Sequence, residues 1–306
     1  MSVPTASAPT APLAGPRALL MALARANLLL ALSVAASAWM VQTLAGLPVE
    51  PVSPLVAFLT MYAVYSLDRA SEPEADSRTH PERASFSGRH ARLLRGSALA
   101  AYAVALLLAG TRGWWSVAVA LLPLAVVLVY SFPFLPAPLA RRVGFSRLKE
   151  VLVLKNVVVA LTLAGTPTLL PAAAAGGAPA WRPVVAVGAF LFGRWWINTV
   201  LFDVRDEHGD RENGVRTLVV VLGGRTILRL LRVANAALAV LAVAAPLLGW
   251  APPLFAVLAA GSLYAGIYLR RMETGDDPHF LCDVVSDGEL LVLAALLAAA
   301  RAALGG

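Results

Sequence analysis

The run Asp203-Val-Arg-Asp-Glu-His-Gly-Asp-Arg-Glu-Asn-Gly214 follows directly on an apolar stretch, 182–202, that is long enough to cross a bilayer as a helix. Its aspartates Asp203, Asp206 and Asp210 stand at i, i+3 and i+7. A helix continuing out of the apolar stretch sets all three carboxylates on one face. Like charges crowded at the edge of a membrane span repel one another unless a cation lies among them. The spacing therefore reads as a divalent-metal site at a membrane surface, carried by a helix that is apolar first and acidic afterwards.

The rest of the chain has the same character. Of its 306 residues 59% are hydrophobic and only 14% charged, with a mean hydropathy of +0.74. A soluble domain carries roughly a quarter charged residues, so this charge is too sparse to coat a globule. Nine candidate spans are expected, near 17–46, 51–69, 93–111, 114–132, 150–171, 182–202, 226–247, 252–270 and 287–304. The fold class that follows is an all-α, polytopic membrane protein. The chain divides into a disordered lead-in over 1–16, rich in Ala, Pro, Ser and Thr, and a single transmembrane domain over 17–306. The lead-in lacks the basic region of a cleaved signal peptide.

Charge placement gives an orientation. Arg78, Arg83, Arg89 and Arg92 follow the second span, Arg141, Arg142, Arg147 and Lys149 the fourth, Arg205, Arg211, Arg216 and Arg225 the sixth, and Arg270 and Arg271 the eighth. The alternate connections hold almost none. By the positive-inside rule the N-terminus and the acidic loops are expected on the cytoplasmic side of the cell membrane. The net charge of +7 is spread over these loops rather than pooled in one aromatic-interleaved patch. It suits contact with anionic membrane lipids and not nucleic acid. A single cysteine, Cys282, excludes both an intrachain disulfide framework and a cysteine-based metal site.

A second acidic cluster, Tyr65-Ser-Leu-Asp-Arg-Ala-Ser-Glu-Pro-Glu-Ala-Asp76, ends the second span. Asp68 and Glu72 share a helical face; Pro73 interrupts the helix before Asp76. Two carboxylate sets facing one cavity suit Mg²⁺, which takes a few carboxylates together with substrate phosphate oxygens. Arg69, Arg205 and Arg211 are interleaved among them and offer fork donors to the same phosphates. The implied ligand has a diphosphate head and an apolar tail. Ordinary solvated loops of mixed charge would look similar, but they would not repeat helical spacing off two span ends. Lys155 and Arg194 lie inside expected spans, where a charge needs a partner or a wet cavity. Lys155 is assigned to the diphosphate or acceptor, or else reaches to the interface. The four histidines form no ligand set, and His208, within the acidic run, is a poor ligand for an oxygen-preferring ion.

These residues resemble the UbiA-type intramembrane prenyltransferase superfamily. Its second motif reads D-x-x-D-x-x-G-D-x-x-x-G-x-x-T-L, matched here by Asp203, Asp206, Gly209, Asp210, Gly214, Thr217 and Leu218. Tyr130-Ser131, the following Phe132-Pro-Phe and then Arg141-Arg142 are similar to the family's fourth-to-fifth connection. The first motif departs from the pattern: Val64 and Tyr65 stand where Asn and Asp are usual, and Glu72 replaces the last Asp. That departure bears on the number of metals bound and on the substrate.

The resemblance implies helices around a central cavity and Mg²⁺-dependent transfer of a prenyl group from a polyprenyl diphosphate to a lipophilic acceptor. Asp68, Asp206 and Asp210 are then the catalytic carboxylates, and Asp68, Glu72, Asp203, Asp206 and Asp210 the metal ligands. Asp76 is a further acidic candidate. Arg69, Arg205, Arg211, Lys155, Asn198 and Tyr130 are the substrate-binding candidates. Tyr65, Tyr130, Trp195 and Trp196 can offer aromatic faces to an allylic cation; Asn198 serves equally as helix-to-helix glue. The rival reading is a transporter or non-catalytic isoprenoid-binding membrane protein. A transporter is expected to carry its acids near mid-membrane on broken helices, and here they lie at span ends. A CDP-alcohol phosphotransferase needs an Asp-Gly-x-x-Ala-Arg run that the chain lacks.

Overall fold

The computed structural model describes residues 15–71, 85–86, 88–131, 154–212, 214–215 and 217–305. The lead-in as far as residue 14, Glu72, Asp76, Arg141 and Arg142 lie outside the described residues, as does the side chain of Tyr130. The described residues are helical, with no strand among them. In chain order the helices are α1 (Pro16–Arg25), α2 (Leu28–Leu44), α3 (Val52–Ser71), α4 (Ala91–Gly110), α5 (Trp114–Ser131), α6 (Leu154–Ala174), α7 (Trp181–Glu212), α8 (Leu218–Leu222), α9 (Gly224–Leu247), α10 (Ala259–Thr274) and α11 (Glu289–Ala303). A 3₁₀ segment, Pro253–Leu258, leads into α10, and a π-helical segment, Leu281–Ser286, leads into α11.

Five helices among the described residues are long and apolar enough to cross a membrane. A sixth is added if α1 and α2 count as one bent span. The expected count of nine is not reached on this measure. The Trp114–Leu128 portion of α5 is apolar but short, and α11 has only 15 residues. The expected continuous span over 17–46 is corrected: its two halves meet at 80°. The break falls at Asn27, whose φ of 61° is the one left-handed non-glycine conformation among the described residues. Asn27 then holds the corner by donating from Nδ2 to Ser66 Oγ on α3, at 3.1 Å.

Short turns join the helices away from the acidic run, and exposed tryptophans lie in or directly beside them: Trp114 and Trp115 at the start of α5, Trp181 at the start of α7, and Trp250 after α9. An amphipathic ring belongs at such a membrane boundary. Close helix approach depends on small residues. A Cβ at Gly193 would stand 2.5 Å from Leu238 Cδ2, so Gly193 lets that leucine of α9 lie directly against the backbone of α7.

One charge lies deep in the bundle. Arg194, buried in α7, forms an ion pair with Glu289 of α11. It also donates to Asn235 Oδ1 of α9 at 2.6 Å and to the Tyr268 hydroxyl of α10 at 3.3 Å. Tyr268 donates in turn to Glu289 at 3.1 Å. The expectation that Arg194 needs a partner is met by a side chain far away in sequence.

Candidate active site

The acidic run is helical through Glu212, so α7 extends about ten residues beyond its apolar stretch, and Asp203, Asp206 and Asp210 do share one face. The helix ends at a turn built by the motif's smaller residues. Val215 N–H bonds back to the Asp210 carbonyl at 2.8 Å, and Gly214 takes a φ of 69° that a side chain would strain. Thr217 then caps α8, its hydroxyl accepting from Val220 N–H at 3.2 Å, while the same side chain hydrogen-bonds the Asp210 carboxylate. Gly214 and Thr217 thus hold Asp210 in place.

Beneath this face lies a cavity of about 180 Å³. Its polar lining is Tyr65, Lys155, Asn156, Asn198, Thr199, Asp203 and Asp287; its apolar lining is Leu30, Val159, Leu163 and Phe202. Asp203 is mostly buried and both its oxygens are used. Lys155 Nζ stands 2.8 Å from Oδ1, and Asn156 Nδ2 donates to Oδ2 at 3.1 Å. Asn198 donates from Nδ2 to Ser286 Oγ at 2.9 Å and to Asp287 Oδ1 at 3.0 Å. Ser33 of α2 donates to the Asp287 carbonyl and so ties this segment to the bundle.

Arg205 is buried and forms a clamp. Its Nε and Nη2 donate to the two oxygens of Asp206 at 2.7 and 3.0 Å, and Nη1 donates to Asp283 at 2.7 Å. The guanidinium lies over the Phe202 ring, 4.5 Å from its centre. Such a fork fixes a carboxylate in two dimensions, which a lysine cannot do.

The other candidates divide. Asp68 lies one turn beyond Tyr65 on α3 and is partly buried. Arg69 is turned toward α1, donating to the Arg25 carbonyl at 2.9 Å. Arg211 is exposed and pairs with Glu207 at 2.8 Å along the outer face of α7. Trp195 is buried and Trp196 partly so, and neither lines the cavity. Of Val64 and Tyr65, only Tyr65 faces the cavity. Val64 is buried among Ala63, Ala98 and Tyr102, in the contact between α3 and α4.

Sequence reasoning missed Asn156, Asp283, Asp287 and Glu289. Asp283 and Asp287 carry the same signal that exposed the other clusters, carboxylates four residues apart at the head of an apolar run. Asn156 has no such signal, being one amide at the start of α6.

The residues suit a hard divalent ion by their donor chemistry: carboxylate oxygens on one helical face, with Asp68 on α3, one turn beyond the cavity-lining Tyr65. Among the described residues no three acidic, histidine or cysteine side chains are already drawn together as a metal group.

A family model, the UbiA prenyltransferase family, matches residues 28–281. No curated protein matches the chain significantly. A UbiA homologue from Archaeoglobus fulgidus, bound to GPP and Mg²⁺, is similar in structure with a TM-score of 0.59 and 16% sequence identity, covering 92% of this chain and 98% of that one. An apo UbiA homologue from Aeropyrum pernix K1 gives 0.61 at 17% identity, over 90% of this chain and 97% of the other. A structure described for digeranylgeranylglyceryl phosphate synthase in membranes gives 0.56 at 14% identity, over 92% and 95%. At such identities the likeness establishes the fold alone. The family match covers most of the chain, including the whole acidic run of α7. This multi-pass membrane protein therefore belongs to the UbiA prenyltransferase family.

Proposed function

We propose that the chain transfers a prenyl group from a polyprenyl diphosphate to a lipophilic acceptor, in a Mg²⁺-dependent reaction at the cytoplasmic end of the bundle. The observation that carries this reading is the helical continuation of α7, with Asp203, Asp206 and Asp210 on one face above an apolar-walled cavity. The structures from A. fulgidus bound to GPP and Mg²⁺, and to DMAPP and Mg²⁺, support the ligand class.

Asp68, Asp206 and Asp210 would hold the ion, with Asp203 beside them and Glu72 as the remaining candidate. Bound there, Mg²⁺ supplies the Lewis-acid neutralisation that lets a diphosphate leave. Arg205 keeps the Asp206 carboxylate in one orientation through the charge change, so that little reorganisation is needed as the leaving group departs. Leu30, Val159, Leu163 and Phe202 wall the cavity below the carboxylates and keep water away from the end where the reaction occurs. Tyr65, on the cavity wall, offers an aromatic ring that favours positive charge nearby. Arg69 and Arg211 remain candidates for pairing with the phosphates.

The test is pyrophosphate release by the purified protein with prenyl diphosphates and a panel of acceptors, with and without Mg²⁺. Asp210→Ala is expected to lower release at least a thousandfold while leaving the melting temperature within a few degrees. Unchanged turnover in that variant would remove the catalytic assignment.

A further inference from the structure

The cavity beneath the carboxylate face holds one unanswered polar atom. Asn156 is 3% exposed, and its Oδ1 has no hydrogen-bond partner among the described residues. Its orientation is fixed, because Nδ2 is spent on Asp203 Oδ2. A buried amide oxygen without a partner is costly relative to a bonded one, so the site is built to receive something that approaches this atom. Either a cation or a hydrogen-bond donor would satisfy it.

The neighbours decide between them. Lys155 holds the other oxygen of the same Asp203 carboxylate, at 2.8 Å. A divalent cation on Asn156 Oδ1 would stand beside that ammonium and be repelled by it; an uncharged hydroxyl would not. The same wall disfavours an anion. The charge of Lys155 is matched by Asp203, and Asp287, held by Asn198 at 3.0 Å, adds a further carboxylate. Size also limits the ligand: about 180 Å³ is room for a single ring or a glycerol-sized group, given that a cavity of ~150 Å³ holds a benzene.

Resting on the prenyltransferase reading above, we propose that this cavity is the acceptor pocket. It selects an uncharged, hydroxyl-bearing head no larger than one ring, with Asn156 Oδ1 accepting the hydroxyl hydrogen. Asn156 is then a specificity residue, and the Lys155–Asp203 pair positions it.

The probes are 4-hexylphenol, its methyl ether 4-hexylanisole, and 4-hydroxybenzoate, measured as dissociation constants for the full chain in lipid nanodiscs with empty nanodiscs subtracted. The wild-type protein is expected to bind the phenol at least tenfold more tightly than the ether, and the benzoate most weakly. Asn156→Leu is expected to bring phenol and ether within threefold of each other. Asn156→Ala gives the same reading should the leucine fail to fold. Equal binding of phenol and ether by the wild type, or preference for the benzoate, overturns the proposal. So does a variant that keeps the phenol preference but binds Mn²⁺ more than tenfold more weakly, which would make the amide oxygen a metal ligand. Absence of geranyl diphosphate binding in the wild type would instead count against the prenyltransferase reading and leave the phenol result standing.

Discussion

Arg194 and Arg205 lie on the same helix, both are buried, and each meets a carboxylate from the C-terminal segment, Glu289 for the first and Asp283 for the second. Their surroundings differ. Arg194 is enclosed by Glu289, Tyr268 and Asn235, partners from three other helices, and lines no part of the acidic-end cavity. Arg205 shares its guanidinium between Asp283 and Asp206, and Asp206 retains 23% side-chain exposure. Burial alone thus does not mark a functional charge. The arginine whose carboxylate partner still faces outward belongs to the chemistry, and the one in a closed set holds helices together.

The largest effect that can break this contrast is on stability. Glu289→Ala leaves a guanidinium uncompensated inside the bundle, which costs about 3–5 kcal/mol. It should appear as a lower melting temperature and loss of the monodisperse peak in detergent. Replacing both members, Arg194→Met with Glu289→Leu, should recover most of the stability, since the desolvation penalty goes with the pair. A single variant as stable as the wild type would mean that Arg194 does not depend on Glu289.

Asp283→Asn sharpens the other side. Arg205 keeps Asp206 but loses its second anchor, so the clamp loosens without a charge being stranded. About a tenfold fall in kcat/KM is expected, roughly 1.4 kcal/mol, with melting little changed. A loss of stability matching that of Glu289→Ala would erase the distinction between the two arginines.

The smallest effect lies at the far end of the bundle. Burial raises the Glu50 carboxyl, but hydrogen bonds from Ser53 and Val52 and the charge of Arg112 outweigh it and hold it below the ordinary carboxylate range. A group depressed on folding stabilises the protein above its unfolded pKa, and that gain is lost as pH falls through the folded value. Glu50→Gln should therefore lower the melting temperature by a degree or two at pH 7, and the difference should shrink progressively as pH falls below about 4.3. A difference that persists in acid would rule out the charge as its origin.

The extension of α7 was legible because an apolar run and carboxylates at i, i+3 and i+7 are both local patterns. The break at Asn27 was not, since neither glycine nor proline marks it and the corner is held by Ser66 from another helix. Val64 and Tyr65 looked alike as departures. One residue turns a helix by 100°, and that rotation buries Val64 against α4 and leaves Tyr65 on the cavity. Asp283 and Asp287 repeat the acidic spacing and were legible in principle, whereas Asn156 acquires meaning only through Asp203, 47 residues away, which no spacing rule reaches.

The central claim is that the acidic face of α7 holds a metal-bound diphosphate. Its most direct test is anomalous diffraction from crystals grown with Mn²⁺ and geranyl thiolodiphosphate. The account expects a manganese peak at about 2.1 Å from carboxylate oxygens of Asp206 and Asp210, with the diphosphate on its far side. A peak at other residues, or diphosphate density away from α7, would contradict it.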